Sequence, residues 1–309
     1  YPDFDQRLVG WITQVTDMGR AGVHAPDQFV SLGHLLHESR LYKSHQEIKA
    51  MRRSAAIAAD AHRRAMAVCR PGMYEYQIEA ELVHTFMQKG ARSPAYPSIV
   101  GGGANSCILH YVENQDQLKD GDLLLIDAGA EYDCYASDIT RTFPVNGHFS
   151  KEQAAVYEVV LEAQLAAIAA VQPGNTWNMP HEAAVEVITR GLVDLGIMKG
   201  RAAKLIRDEA YRPYYMHKTG HWLGMDVHDV GDYKVHDDWR TFEPGMVTTV
   251  EPGIYLSQTI KGLPKRWWNI GIRIEDDVLV TKTGHEVLSA NAPKLIDDIE
   301  SLMNQERAA

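Results

Sequence analysis

Residues 122–142 read DLLLIDAGAEYDCYASDITRT, an apolar run that ends at Asp127 and is followed by a second acid, Asp138. The run predicts a buried strand. A hairpin turning between Tyr132 and Asp133 would place Asp127 opposite Asp138, with Cβ atoms about 5 Å apart. Two carboxylates at that distance repel each other unless they share a cation or a proton. The segment therefore predicts an acidic pair with a functional role.

A second segment, residues 247–280, has the same layout. A β-branched strand ends at Glu251, and an alternating strand farther along carries Glu275. Their midpoint is Leu263, in the turn-prone sequence KGLP, so a second hairpin would bring the two glutamates together. Four carboxylates delivered by two hairpins make an oxygen-rich site suited to divalent metals.

Histidines are concentrated in the sequence HKTGHWLGMDVHDVG, residues 217–231. The spacing does not fit a zincin, because Lys218 stands where that motif has its glutamate. Imidazoles in this glycine-rich loop predict one metal ligand, with the others as hydrogen-bond donors. A further histidine, His110, is a candidate to join them.

The helices follow a pattern that repeats about 100 residues later. Ser44-x-x-Glu47 is a capping box that opens a helix to about residue 69, and a second helix follows at about 75–88. A similar pair is predicted at about 151–171 and 177–195, and strand-like sequence follows each pair. We predict an α+β fold in which helices from two similar halves cover one curved sheet.

The composition disfavours nucleic-acid-binding, membrane-spanning and disulfide-bonded classes of protein. The chain has 309 residues and a formal net charge of -10, which disfavours nucleic acid as a partner. The most apolar stretch, 154–171, is interrupted by Glu158 and Glu162, so we expect no membrane span. Three cysteines without a C-x-x-C motif predict small core thiols and a reducing, cytoplasmic location.

The acids and one histidine also form a known pattern. In chain order, these residues resemble the five-ligand pattern of the "pita-bread" metallopeptidases: Asp127, Asp138, His221, Glu251 and Glu275. The stretches HWLGMDVHDVG, VEPGIY and GIRIEDDVLV resemble the branch of that family that contains prolidase and aminopeptidase P. The resemblance implies the pita-bread (creatinase/aminopeptidase) fold for residues 44–309: a curved antiparallel sheet with helices from two pseudo-symmetric halves. Residues 1–43 would then be the C-terminal remnant of an N-terminal domain, or a linker.

The resemblance also implies an activity. Family members of this branch are dinuclear exopeptidases, usually with Mn²⁺, that hydrolyse the N-terminal Xaa-Pro bond through a metal-bridging hydroxide. Co²⁺ and Zn²⁺ are the alternatives. The implied substrates are peptides with proline in second position, and the implied assembly is a homo-oligomer, a dimer or a tetramer.

Each site residue receives an implied role from the same resemblance. Asp138 and Glu275 would bridge the two metals, Asp127 would chelate one, and His221 and Glu251 would complete the other. The catalytic residues would be Glu251, which takes the proton of the water, and His228, which hydrogen-bonds the scissile carbonyl. Substrate and ligand orientation would fall to His110, His217, Tyr255 and Arg273.

Other functions remain open at this point. A prolidase would cleave only dipeptides, and a metal-free pita-bread binding module would lack some of the five ligands. Methionine aminopeptidase fits less well, because its histidine loop is shorter and lacks the HDVG extension.

Overall fold

The computed structural model describes residues 2–308, apart from the side chains of residue 34 and residues 306–308. The described helices are α1 Pro2–Asp17, α2 Leu32–Leu41, α3 His45–Val68, α4 Glu75–Gln88, α5 Lys151–Ala170, α6 Met179–Asp194, α7 Ala202–Arg207 and α8 Ile296–Ala308. The described strands are β1 Ser93–Pro94, β2 Ile99–Gly102, β3 Leu123–Asp127, β4 Ala130–Tyr132, β5 Tyr135–Ala136, β6 Thr140–Pro144, β7 Lys234–Val235, β8 Asp238–Trp239, β9 Val247–Val250, β10 Gly253–Leu256, β11 Ile270–Arg273, β12 Asp276–Val280 and β13 His285–Val287.

The chain divides into two compact units, one up to His37 and the other from Glu38 onward. Arg40 and Lys43 form ion pairs with Asp229, within the second unit. The division into residues 1–43 and 44–309 that the resemblance implies stays a prediction. In the first unit, α1 has no buried residues.

The two predicted helix pairs are confirmed. Ser44 and Glu47 form the capping box that opens α3, and Ser150 and Gln153 form another that opens α5. In each box the side chains satisfy backbone N–H groups that the first helical turn leaves unpaired. The α5–α6 and α3–α4 pairs pack against the strands of their own half and form the main core.

The first hairpin forms, but its predicted register is wrong. Asp127 pairs with Thr140, and β4 pairs with β5 so that Tyr132 faces Tyr135. The turn is a two-residue one at Asp133 and Cys134, which both have positive φ, at 49° and 67°. Two-residue turns with positive φ match the twist of the flanking strands. The hairpin is therefore centred between Asp133 and Cys134, one residue closer to the C-terminus than predicted. As a consequence, Cys134 is exposed and is not the core residue that the sequence predicts.

The second hairpin has the predicted register. Gly253 pairs with Arg273 in β10–β11, and Val250 pairs with Asp276 in β9–β12. Between these two ladders, Glu251 and Glu275 lie opposite each other at the point where the strand pairing is interrupted. The turn-prone KGLP segment was therefore a sufficient guide to this register.

Backbone and side-chain hydrogen bonds join the two hairpins edge to edge. Glu275 N–H donates to the Thr140 carbonyl at 3.0 Å, and the Thr142 hydroxyl donates to the Arg273 carbonyl at 3.0 Å. The described pairings between strands are all antiparallel. The junction of the two halves therefore lies beside the acids of both hairpins.

Helix α5 is long and apolar enough to cross a membrane by length and composition alone. Half of the segment that meets this criterion is buried inside the protein. A helix packed in a protein core meets the same criterion.

Candidate metal centre

Three side chains from distant parts of the chain converge on one point. Donor atoms of Asp138, His221 and Glu275 all lie within 4.8 Å of one another. Asp138 precedes β6, His221 precedes the bridge between Trp222 and Thr248, and Glu275 lies between β11 and β12. His221 Nε2 is 3.3 Å from Asp138 Oδ2. Such a group of donors could hold a metal ion.

The other two predicted ligands flank this cluster. Glu251 Oε1 lies 3.7 Å from His221 Nε2. Asp127 is joined to Asp138 through the hydroxyl of Tyr96, which lies 2.6 Å from Asp127 Oδ1 and 2.5 Å from Asp138 Oδ1. The shift in register thus does not separate the two aspartates, because residues offset by two positions stay on the same face of a sheet.

Tyr96 is a site residue that sequence reasoning missed. It lies in the loop between β1 and β2, outside any repeating pattern, so spacing gave no signal for it. Its single proton can serve only one of the two oxygens it contacts. The second short contact therefore requires a proton on a carboxyl group or a cation nearby, which agrees with a site built for positive charge.

Arg273 links Asp127 to Tyr255 and, through Tyr255, to His217. Its Nη2 donates to Asp127 Oδ2 at 2.5 Å and its Nη1 to the Tyr255 hydroxyl at 3.0 Å. Tyr255 lies 2.8 Å from His217 Nε2, and His217 Nδ1 lies 2.7 Å from the Lys218 carbonyl. Since a carbonyl only accepts, Nδ1 carries the ring proton and Nε2 accepts from Tyr255. Both nitrogens of His217 are thus used within the protein.

An open cavity of about 270 Å³ contains these groups. Its wall includes the predicted residues His110, Asp127, Asp138, His217, His221, His228, Glu251, Arg273 and Glu275, together with Leu109, Lys218 and Gly220. Tyr255 is only 1% exposed and lies behind the wall, in contact with it through His217 and Arg273. The ring of His228 packs edge-on against that of His221, with centroids 4.2 Å apart.

Burial and mutual repulsion raise the pKa values of three carboxyl groups in the site. Burial and then the charges of Asp138 and Glu251 raise the pKa of Glu275 well above its usual range. Burial, followed by the charge of Asp127, raises the pKa of Asp138. Burial raises the pKa of Glu251 to about 7, against the opposing effects of His221 and Arg273. Without a cation, these carboxylates would be only partly ionised.

The surroundings shift the pKa values of the histidines at the site in opposite directions. Burial lowers the pKa of His221, but the hydrogen bond to Asp138 and the charge of Glu251 outweigh it and raise the pKa to about 9. Burial and the charge of Arg273 lower the pKa of His217 to about 3. Burial and His221 also lower the pKa of His228, which favours the neutral ring.

The residues present fit divalent metal ions. Four carboxylates, those of Asp127, Asp138, Glu251 and Glu275, face one guanidinium and one ligand imidazole, so negative charge is in excess. His221 Nδ1 lies 3.0 Å from the Trp222 carbonyl and donates to it, which leaves Nε2 directed at the cluster. A ligand histidine held by a backbone carbonyl in this way is typical of metal sites.

Comparison with known proteins gives the family. The chain matches metallopeptidase family M24 over residues 49–282, which is most of its length. The chain belongs to metallopeptidase family M24. It is 52% identical over 270 residues to a Xaa-Pro aminopeptidase of Haemophilus influenzae, a match that covers 87% of this chain.

Solved structures of aminopeptidases are similar to this chain over nearly all of its length. Aminopeptidase PepP of Pseudomonas aeruginosa superposes on the whole chain with a TM-score of 0.97 and 57% identity. Aminopeptidase P of E. coli, solved with the inhibitor Pro-Leu, covers 99% of it with a TM-score of 0.95 and 46% identity. The predicted pita-bread fold is therefore confirmed. The chain spans only 62% of the H. influenzae protein and 70% of the P. aeruginosa chain.

A buried ionic network lies next to the metal-ligand candidate Glu275. Arg141 is fully buried and donates to Asp276 Oδ1 at 2.7 Å and to the carbonyl of Glu275 at 2.6 Å. Lys294 also pairs with Asp276, at 2.7 Å. The network fixes the backbone at Glu275. The sequence does not predict it, because Arg141 and Asp276 are more than 100 residues apart and Lys294 resembles an ordinary surface lysine.

Proposed function

We propose that this protein is a Mn²⁺-dependent aminopeptidase that removes the N-terminal residue from peptides with proline in second position. One observation carries the proposal: two hairpins and a histidine loop bring four carboxylates and His221 to one cavity wall. The similarity to Xaa-Pro aminopeptidases supports the substrate class.

If two ions bind, the five ligands would divide between them. Asp138 and Glu275 lie centrally and would contact both, Asp127 would contact one, and His221 with Glu251 would contact the other. Bound divalent ions supply Lewis-acid polarisation of the scissile carbonyl and make a bound water more acidic. Oxygen-rich ligands with a single imidazole favour Mn²⁺ over softer metals.

The chain's own residues then handle the proton and the carbonyl. Glu251 accepts the proton of the attacking water, and its position against His221 keeps it at the reacting centre. His228 donates a hydrogen bond to the carbonyl oxygen as negative charge develops on it. The lowered pKa of His228 keeps the ring neutral, with one nitrogen protonated and able to donate.

The wall of the cavity suits a proline ring. An Xaa-Pro bond has no N–H, so the substrate cannot be aligned through that donor and must be held by shape. The ring face of His217, the side chain of Leu109 and His110 form this wall. Because Tyr255 and Arg273 fix His217 from behind, the wall is rigid where it meets the substrate.

Cellular context is part of the same proposal. All three cysteines are free thiols, which supports a reducing cytoplasm. The acidic net charge favours a protein without nucleic acid or anionic membrane as partner. A homo-oligomer, a dimer or a tetramer, would cover exposed apolar side chains of α1 such as Phe4, Val9 and Trp11.

The test uses matched peptides and metal analysis. After loading with Mn²⁺, the protein should cleave the first bond of Xaa-Pro-Xaa tripeptides and leave Xaa-Ala-Xaa intact. Cleavage of Xaa-Pro dipeptides alone would instead identify a prolidase. Elemental analysis should give about two ions per chain; less than one would favour the metal-free binding module.

Variants connect the activity to the site. Glu275→Gln should lose both metal ions and activity, because Glu275 lies between the other ligands. Glu286→Gln is the matched control: this acid lies on neighbouring β13 and pairs with Arg52 at the surface. Full metal occupancy in Glu275→Gln would contradict the central position assigned to Glu275.

A further inference from the structure

A buried charge cluster lies next to the site but outside its ligand set. Asp229 Oδ2 is 3.2 Å from Lys43 Nζ, and Asp229 Oδ1 is 2.5 Å from Arg40 Nη2. The side chains of Asp229 and Lys43 are each 1% exposed. Burying two charges costs several kcal/mol per ion unless the geometry compensates, so such a pair in a loop calls for a functional explanation.

Asp229 is the residue that follows His228. Its backbone N–H donates to the Trp222 carbonyl at 2.9 Å, which closes the loop 221–231, called here the histidine loop. Its carboxylate also packs on Gly224, where a Cβ atom would lie only 2.0 Å from Asp229 Oδ2. The Asp229 side chain therefore forms the internal support of the loop that carries both His221 and His228.

The cations come from the segment 38–43, called here the connector. Its end is fixed by the backbone of Lys43, which donates to the Gly245 carbonyl at 2.8 Å. Glu38 forms a separate ion pair with Arg240, at 2.6 Å, that does not involve Asp229. The connector precedes residue 49, where the family match begins, and its last residue, Lys43, lies 186 residues from Asp229 in sequence.

The His228 ring depends on this support. Among the described residues, no group forms a hydrogen bond with the ring, which rests against His221 and faces the cavity. Its position therefore depends on its backbone and on its packing against His221. Consecutive Cα atoms are about 3.8 Å apart across one peptide unit, so a shift of Asp229 moves His228 directly.

We infer that Asp229 is a positioning residue for His228, and that Lys43 and Arg40 of the connector hold it in place. This inference rests on the proposed function for its catalytic readout. Residues 40–43 thereby become part of the machinery, because their displacement is transmitted through Asp229 to the group that meets the carbonyl oxygen.

The expected effect falls on kcat. A displacement of about 1 Å at a catalytic group can cost about a hundredfold in rate. His228 acts on charge that develops in the transition state, so substrate binding changes little. Lys43→Met and Asp229→Asn should each lower kcat by about tenfold to hundredfold and leave KM within about twofold. Folding is retained in Lys43→Met, because Arg40 still neutralises Asp229.

The controls separate positioning from general loosening. Arg40 also pairs with Asp226 of the histidine loop, at 2.8 Å, whereas Glu38 pairs with Arg240, outside that loop. Glu38→Gln therefore removes a connector ion pair that does not involve the histidine loop, and it should leave kcat unchanged. The double variant Lys43→Met/Asp229→Asn should lose no more rate than the worse single variant, because both substitutions break the same contact. Metal content should stay at the wild-type level in all of these variants. Equal losses in Glu38→Gln, an effect on KM alone, or unchanged kcat in folded Lys43→Met and Asp229→Asn would overturn the inference.

A second readout does not depend on activity. The imidazole NMR signals of His228, assigned with His228→Gln, should shift in Lys43→Met and stay in place in Glu38→Gln. If the wild type fails to cleave Xaa-Pro peptides yet these signals shift, the proposed function fails and the positioning link stands. If the wild type is active and the signals stay in place in Lys43→Met, the inference alone is refuted.

Discussion

Replacing Tyr96 with Phe should weaken divalent-metal binding without disturbing the fold. The Tyr96 hydroxyl contacts carboxylate oxygens of both Asp127 and Asp138, at 2.6 and 2.5 Å. A hydrogen bond to a charged group is worth about 1.5–3 kcal/mol, and it favours the ionised form of its acceptor. Its loss raises the pKa of Asp138 further above the value that burial and Asp127 already impose.

The magnitude follows from proton competition. At about 1.4 kcal/mol per tenfold, the lost hydrogen bond corresponds to about tenfold to hundredfold in apparent affinity at neutral pH. Because a bound metal must displace the extra proton, the deficit should shrink as the pH is raised toward about 9. This dependence on pH distinguishes proton competition from simple misplacement of the ligands.

The assay is competition for Mn²⁺ with a metallochromic indicator, carried out at both pH values. Tyr135→Phe is the control, since it also removes one tyrosine–carboxylate hydrogen bond, to Glu47 at 2.8 Å, away from the ligands. An affinity of Tyr96→Phe within twofold of wild type at neutral pH would refute the reasoning. An equal loss in Tyr135→Phe would do so as well.

Three further predictions concern stability, catalysis and the buried network. In metal-free protein the pKa of Glu251 is raised to about 7, so the folded state keeps this proton to higher pH than the unfolded state does. The melting temperature should accordingly fall from about pH 5 to about pH 8, and Glu251→Gln should flatten that slope; a slope unaffected by the substitution would contradict the assignment. His228→Ala should keep its metal but lose about a hundredfold in kcat in peptide assays, and an unchanged kcat would remove its role at the oxyanion. Arg141→Met strands the carboxylate of Asp276 in the core, so denaturant titration should show a loss of about 3 kcal/mol or more, whereas a loss below about 1 kcal/mol would show that Lys294 suffices.

The parts of the structure that follow local rules were predictable from the sequence. The Ser44 and Ser150 capping boxes marked helix starts because a cap involves only neighbouring residues. The pairing of Glu251 with Glu275 was predictable because a turn-prone segment lies at its midpoint. The predicted centre of the first hairpin is wrong by one residue, because cysteine is not a residue typical of the left-handed conformation that Cys134 adopts in the turn.

Contacts between distant segments were not predictable. Tyr96 reaches Asp127 and Asp138 from an irregular loop, and no periodicity leads to it. The pairing of Lys43 with Asp229 depends on how the connector lies against the histidine loop, which is a property of the assembled unit. The resemblance of motifs identified the ligand candidates, whereas the groups that hold them in place required the structure.

The edge-to-edge hydrogen bond between Glu275 and Thr140 has a consequence for assembly of the protein. Each half of the chain brings only two of the four acids, so a folding intermediate with one structured half offers an incomplete cage. A metal ion held by ligands of both halves would join them, and its binding energy would oppose their separation.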